Sequence, residues 1–246
     1  MNSEHGIDGQ HPPLIDRRTD TRVRRFAIWL TRRELPSPLL SLVVRALGNH
    51  EPAELRAVFI EDADLLNAVA LPFTHELCGL TNAMRPIDRA RLEAHFQQES
   101  AAAAAGIAEL TRALGRQCRF EVLRARKAAA LRAMLEGADA LFVPGTLRAA
   151  PQRGGAPLLA VVDDSDSAVH CQAVARRLAA AVGAPLEIHS VGGASGGAGI
   201  AITDVPALLA RRDPQLVLLA AALVPQLAHS SAELDEMCAP PLLIIN

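Results

Sequence analysis

The chain has 246 residues, of which half are hydrophobic, only 3% are aromatic and none is tyrosine. Its 25 basic and 27 acidic residues give a formal net charge of −2, so no overall positive field would attract nucleic acid or an anionic membrane surface. No stretch approaches the roughly 18 apolar residues that a membrane span needs. We therefore expect a soluble protein that binds neither nucleic acid nor membrane.

The cysteines are few and widely spaced, at Cys78, Cys118, Cys171 and Cys238, with no C-x-x-C pair. This spacing argues against a disulfide framework or a structural zinc site and favours a reducing compartment. The arginine-rich stretch 17–33 superficially resembles an export signal, but its apolar run is too short and no cleavage site follows. We expect a cytoplasmic protein with a polar, disordered tail at residues 1–23.

Short apolar runs separated by helical patterns predict the secondary structure. Strands are predicted at 25–31, 55–61, 118–124, 140–144, 157–163, 186–191, 215–220 and 242–245. The clearest helices are predicted at 86–115 and 167–182, each ending at a glycine, Gly115 or Gly183. Strands alternating with helices predict an α/β protein whose mostly parallel sheet is covered by helices on both faces.

The two halves of the chain resemble each other. "RFAIWLT", a helix and "PAELRAVFI" match "PLLAVVDD", a helix and "GAPLEIHSV", and "AALRAMLEGADALFVPG" matches "PALLARRDPQLVLLA". The stretch 145–157, "GTLRAAPQRGGAP", is the best linker between them. We therefore predict two units, at 24–150 and 151–246, the first lacking a last helix and strand.

Three segments resemble the universal stress proteins in tandem form. They are "VFIEDADLLNAVALPFTHEL" with "RPIDRARLEAHF", "AVVDDSDSAVHCQAVARRLAAAVGAPLEI", and "ELDEMCAPPLLIIN". The resemblance implies two Rossmann-like units and a role in the stress response. It also implies that final strands pair subunits, so we expect a homodimer formed through residues 242–245, a run with the character of an edge strand.

The resemblance further implies where ATP would bind. Many members use Gly-x2-Gly-x9-Gly-Ser/Thr after the fourth strand and an Asp at the end of the first. The residues that match here, all in the second half, are Asp163, Asp164, Ser165, Ser230 and Ser231. The stretch 219–236 contains no glycine, however, and Ser230 also fits a helix capping box. We therefore expect no tight binding of ATP and Mg²⁺.

Two acidic turns follow predicted strands and admit both structural and functional interpretations. In the first, which follows Glu61, Asp62 or Asp64 fits a helix cap better than a metal or catalytic site, because the nearby His75 lies beyond a proline. Asp163 or Asp164 could contact an adenosine, or the turn could simply cap the next helix through Asp166.

The glycine-rich stretch 191–200 follows a strand, but it lacks the Lys-Ser/Thr ending of a P-loop. We interpret it as a connector.

Three hypotheses about function follow. The first is a non-enzymatic regulatory or interaction protein of the stress response with an unknown protein partner. The second is an ATP-binding protein or weak ATPase that uses the second half. The third is a cysteine- or metal-dependent enzyme built around Asp62, Asp64, His75 and Cys78.

Overall fold

The computed structural model describes residues 23–32, 38–47, 54–72, 74–77, 82–145, 156–192, 199–227 and 240–246. The strands within these residues are β1 (Arg25–Leu30), β2 (Glu54–Asp62), β3 (His75–Leu77), β4 (Met84–Pro86), β5 (Cys118–Ala125), β6 (Ala140–Val143), β7 (Leu158–Val162), β8 (Leu186–Ser190), β9 (Leu216–Ala220) and β10 (Leu242–Ile245). The α-helices are α1 (Pro38–Leu47), α2 (Ala63–Val69), α3 (Arg89–Ala113), α4 (Lys127–Gly137), α5 (Asp166–Val182), α6 (Val205–Arg212) and α7 (Val224–Leu227).

Each of the predicted strands is present, within one or two residues of its predicted ends. In β6, β7, β9 and β10 every residue is buried, as expected of strands covered on both faces. The predicted helices are α3 and α5, and Gly183 ends α5 with a left-handed φ of 67°. The α/β fold class is therefore confirmed.

Eight strands form one continuous sheet in the order β5-β2-β1-β6-β10-β9-β7-β8. All neighbours run parallel except β6 and β10, which pair antiparallel with Leu243 opposite Phe142. The first half of the chain supplies β5-β2-β1-β6 and the second half supplies β10-β9-β7-β8. Because the junction is antiparallel, the carboxyl ends of the strands point in opposite directions in the two halves.

The prediction that the final strand forms an edge is wrong. β10 lies in the interior of the sheet, hydrogen-bonded to β6 on one side and β9 on the other, and all four of its residues are buried. Its continuous apolar run, "LLII", suits such a position. A homodimer remains a prediction, but β10 has no free side with which to form it.

Helices cover both faces of the sheet. α3 packs against β2 and β5, α4 packs against β2, β5 and β6, and α5 packs against the strands of the second half and against α1. Among parallel strands, a right-handed crossover to a strand on the left and one to a strand on the right place their helices on opposite faces of the sheet. In the described ranges no helix combines the length and apolarity that crossing a membrane requires.

A small hairpin between α2 and α3 is not among the predicted elements. β3 and β4 pair antiparallel, with Leu77 opposite Met84, and both of these side chains are largely exposed. On the other face of the hairpin Glu76 pairs with Arg85. Three-residue strands with exposed apolar side chains carry no periodic signal, which is why this hairpin was not predicted.

Candidate functional site

Ligands of open parallel sheets bind at the carboxyl ends of strands, where neighbouring connections diverge. In the second half this point lies between β7 and β9, because the chain leaves β7 toward β8 on one side and leaves β9 toward β10 on the other. The turn that follows β7 begins at Asp163. The fold therefore places the predicted residues Asp163, Asp164 and Ser165 at the topological switch point of this half.

The polar groups of this turn bond to one another. The backbone N–H of Ser165 donates to Asp163 Oδ1 at 3.2 Å, and the Ser165 hydroxyl donates to the same oxygen. Ser165 Oγ lies 2.8 Å from Ser167 Oγ. Because the single proton of the Ser165 hydroxyl is directed at Asp163, the Ser167 hydroxyl is the donor in that contact. The result is a chain of hydrogen bonds that ends on the half-buried Asp163 carboxylate.

The interpretation that Asp166 caps α5 is wrong. Asp166 is the first residue of the helix, and Ser165 occupies the N-cap position without a side-chain bond to the helix. The acidic side chain still lies in the first turn, where its charge favours the positive end of the helix dipole.

The other predicted residues of the nucleotide site, Ser230 and Ser231, lie outside the described residues, as do residues 193–198 of the glycine-rich stretch. Val191 and Ile200, which flank residues 193–198, pair with each other in a single parallel bridge. A 3-10 turn at Ile202–Asp204 then leads into α6.

The acidic turn of the first half is matched by a basic turn. Arg124 Nε donates to Glu61 Oε2 at 2.9 Å, Arg126 Nε lies 3.1 Å from Asp64 Oδ1, and Lys127 Nζ lies 3.8 Å from Asp62 Oδ2. The acids lie at or just after the end of β2 and the bases lie at or just after the end of its neighbour β5. Glu61 and Arg124 share a register position in these two strands. Each of the three carboxylates thus has a cation from the adjacent strand end.

Asp62 caps α2, as the sequence predicted. Its Oδ1 accepts from the backbone N–H of Asp64 at 2.9 Å and of Leu65 at 3.4 Å. His75 lies on β3, in the hairpin, and Cys78 lies outside the described residues. Across the described part of the chain, no three His, Cys, Asp or Glu side chains are grouped so as to hold a metal ion.

Neither described cysteine has the properties of a nucleophile. Burial raises the pKa of the Cys118 thiol to about 11, against a smaller lowering by a backbone hydrogen bond to Ala57. Burial, and then the Asp163 carboxylate, raises the pKa of Cys171 to about 12. A nucleophilic cysteine needs a lowered pKa, so both thiols are protonated at neutral pH and serve as packing groups.

A cleft of about 230 Å³ lies at the amino ends of β1, β2 and β5, beside the end of α4. Its arginines come from neighbouring strands and pair with local acids: Arg25 with Asp139, and both Arg56 and Arg119 with Glu121. This cluster was not predicted, although the sequence has an arginine or a glutamate near the start of each of these strands. The cleft lies opposite the edge at which such sheets bind ligands.

No protein-family model matches the chain, and no curated protein matches it. Among solved structures, a protein of unknown function from Pseudomonas aeruginosa PAO1 is 12% identical, with a TM-score of 0.45 over 92% of this chain and 93% of that one. A chain from Pseudomonas aeruginosa UCBPP-PA14, provisionally described as a universal stress protein, is 12% identical, with a TM-score of 0.46 over 92% and 94%. A universal stress protein from Archaeoglobus fulgidus DSM 4304 is 10% identical, with a TM-score of 0.44 over 89% and 96%.

Proposed function

We propose that this chain is a non-enzymatic regulatory or interaction protein of the universal-stress-protein type that acts in the cytoplasm without binding ATP tightly. The observation that carries the proposal is the commitment of Asp163 Oδ1 to Ser165 at the switch point of the second half. A ligand that used this oxygen would first have to displace both of those hydrogen bonds.

The absence of glycine from residues 219–236 adds to this argument. Glycines allow backbone N–H groups to approach a phosphate closely, and the segment after β9 has none to offer. The first half offers no better site, because the carboxylates at the end of β2 are matched by cations from the end of β5. Among the described residues, Arg124, Arg126 and Lys127 are each paired with an acid, and residues 219–236 contain no glycine that could cradle a triphosphate.

The test is a thermal shift with ATP and Mg²⁺. A ligand at 100 times its Kd stabilises a protein by about 2.7 kcal/mol, which raises the Tm of a chain of this size by roughly 5–10 °C. We expect no measurable shift in millimolar ATP and no release of phosphate over hours. The purified protein should also carry no adenine nucleotide when its released small molecules are separated by chromatography.

The alternative is a weak ATP-binding protein that uses the second half, and the position of Asp163 at the switch point is what favours it. A thermal shift that Asp163→Asn abolishes and that the exposed Glu109→Gln variant on α3 retains would replace our proposal with this alternative. Asp163→Asn keeps an oxygen that can accept from Ser165, so the variant is expected to fold.

A further inference from the structure

β5 ends the sheet, and none of the residues that the structure describes forms a strand on its outer side. In the parallel pairing of β2 and β5, alternate residues of β5 direct their backbone groups toward β2. Glu54 N bonds to Arg24 O, so the even residues of β2 face β1 and the odd residues face β5. With Leu55 opposite Cys118, the outward groups of β5 are therefore those of Cys118, Phe120, Val122 and Arg124. No described residue pairs with them.

The other end of the sheet is less accessible. β8 has five residues, and the backbone of Ile200 already bonds to Ser190 and Gly192 on its outer side. β5 has eight residues, contains no proline or lysine and exposes 49% of Val122. Short length, proline and charged side chains, lysine above all, are the usual protections of an edge strand, and of these β5 has only the charges of Arg119, Glu121 and Arg124. An edge of this length can pair with another strand whose charges are complementary to its own.

The sequence of β5, "CRFEVLRA", is complementary to itself in one antiparallel register. Centring the pair on Phe120 places Arg119 of each copy opposite Glu121 of the other, and Cys118 opposite Val122. Centring it on Glu121 would place the two glutamates opposite each other, and centring it on Val122 would pair Glu121 with Leu123. Only the register centred on Phe120 among these three brings opposite charges together.

Glu121 is the acid of this register. Its Oε2 receives a two-pronged bond from Arg56 Nε and Nη2, at 3.2 and 2.7 Å. Its Oε1 is buried and lies close to Arg119 Nε, yet in a direction that makes no hydrogen bond. Arg119 is 72% exposed and has no other ion pair in the described residues. In the register centred on Phe120, the Arg119 of a second copy would approach this same carboxylate from the neighbouring strand.

We propose that two copies of this chain pair antiparallel through β5, centred on Phe120, so that one sheet runs through both. The inference goes beyond the proposed function, because the interface is remote from Asp163 and from any nucleotide. The sequence predicted a dimer through β10, but β10 is paired on both sides, whereas β5 lies at the end of the described sheet.

The first experiment measures molar mass by light scattering after gel filtration. We expect about twice the 26.1 kDa of one chain. Val122→Pro removes an outward N–H without touching the bonds to β2, and proline is tolerated at such positions. It should give a monomer, whereas Val122→Thr keeps the N–H and should stay dimeric. A monomeric wild-type protein, or a Val122→Pro variant that stays as dimeric as Val122→Thr, would overturn the proposal.

The second experiment tests the register. Opposed residues in a hydrogen-bonded antiparallel pair have Cα atoms about 5.5 Å apart, which suits a disulfide. Within one strand, positions 118 and 122 are about 13 Å apart, so they cannot be bridged in the same chain. In a background of Cys78→Ser and Cys238→Ser, Val122→Cys with native Cys118 should form a covalent dimer under copper–phenanthroline.

Adding Cys118→Ser to that chain is the matched control and should abolish the covalent dimer. A covalent dimer that persists without Cys118 would show that the register is not centred on Phe120. Neither result depends on nucleotide. These experiments can therefore disprove the interface without affecting the proposed function, and the ATP experiments can disprove the proposed function without affecting the interface.

Discussion

Arg124 and Glu61 lie side by side at the carboxyl ends of β5 and β2, with Arg124 Nε donating to Glu61 Oε2 at 2.9 Å. Their exposures differ greatly: the Glu61 side chain is 11% exposed and that of Arg124 is 50% exposed. The acid therefore depends on the base for a partner, while the base remains largely hydrated. This asymmetry makes the pair a structural element of the strand ends, not a reactive one.

Arg124→Met should destabilise the protein by about 1–3 kcal/mol, because it leaves a buried carboxylate without its donor. Glu61→Met should cost less, since a half-exposed Arg124 can turn to water. The double variant should lie closer to the wild type than Arg124→Met does. Urea unfolding of the four proteins, read as a double-mutant cycle, measures this; equal costs for the two single variants would contradict it.

The cap of α2 gives a second prediction. Asp62→Ala removes the oxygen that accepts from the N–H groups of Asp64 and Leu65 and should lower the free energy of unfolding by about 1 kcal/mol. Asp62→Asn keeps a capping oxygen and should lose clearly less. If the two variants lost the same amount, the contact of Asp62 with Lys127, and not the cap, would be the stabilising interaction.

The sequence predicted the elements well and their neighbours poorly. A run such as "LLAVV" in β7 is buried on both faces whichever strand lies beside it, so its composition alone identifies it. The place of β10 depends on pairing with β6, about a hundred residues earlier, and was predicted wrongly. The signal was available, because β5 and β8, the true edges, mix apolar with charged or polar residues, whereas β10 is wholly apolar.

In the candidate sites, too, contacts between residues close in sequence were predictable and contacts between distant residues were not. The cap by Asp62 was predictable because its partners are two and three residues away. The pairing of Glu61 with Arg124 spans 63 residues and depends on the register of two strands, which a single sequence does not reveal. The internal bonding of Asp163 with Ser165 is local, but the direction of a serine hydroxyl cannot be read from a sequence.

Asp139 gives a prediction about pH. Its Oδ2 accepts from the N–H groups of Arg24 and Arg25, both at 2.9 Å, and its Oδ1 accepts from the Arg25 side chain. Burial acts to raise the pKa of Asp139, but these hydrogen bonds and the Arg25 charge outweigh it and hold the pKa below its ordinary 3.8. The stability that this carboxylate contributes is therefore present above pH 3.8 and is lost as the pH falls through the lower, folded value.

Asp139→Asn should cost about 1 kcal/mol at pH 7, after allowance for solvent screening of a partly exposed group. The difference from the wild type should be constant above about pH 5 and should shrink below 3.8. Urea unfolding of both proteins between pH 3 and 7 measures it. A difference that grew as the pH fell would mean that the pKa of Asp139 is raised.

The cysteines give the last prediction. Because burial raises the pKa of Cys118 to about 11 and of Cys171 to about 12, less than roughly one thiol in a thousand is ionised at pH 8. An unfolded chain, with thiol pKa values near 8.5, is far more reactive. In a variant carrying Cys78→Ser and Cys238→Ser, labelling by a chromogenic disulfide reagent should be at least about 100-fold slower in the native protein than in urea. Two thiols should be counted after unfolding, and a thiol that reacted at the unfolded rate in the native protein would contradict the assignment of Cys118 and Cys171 as buried packing groups.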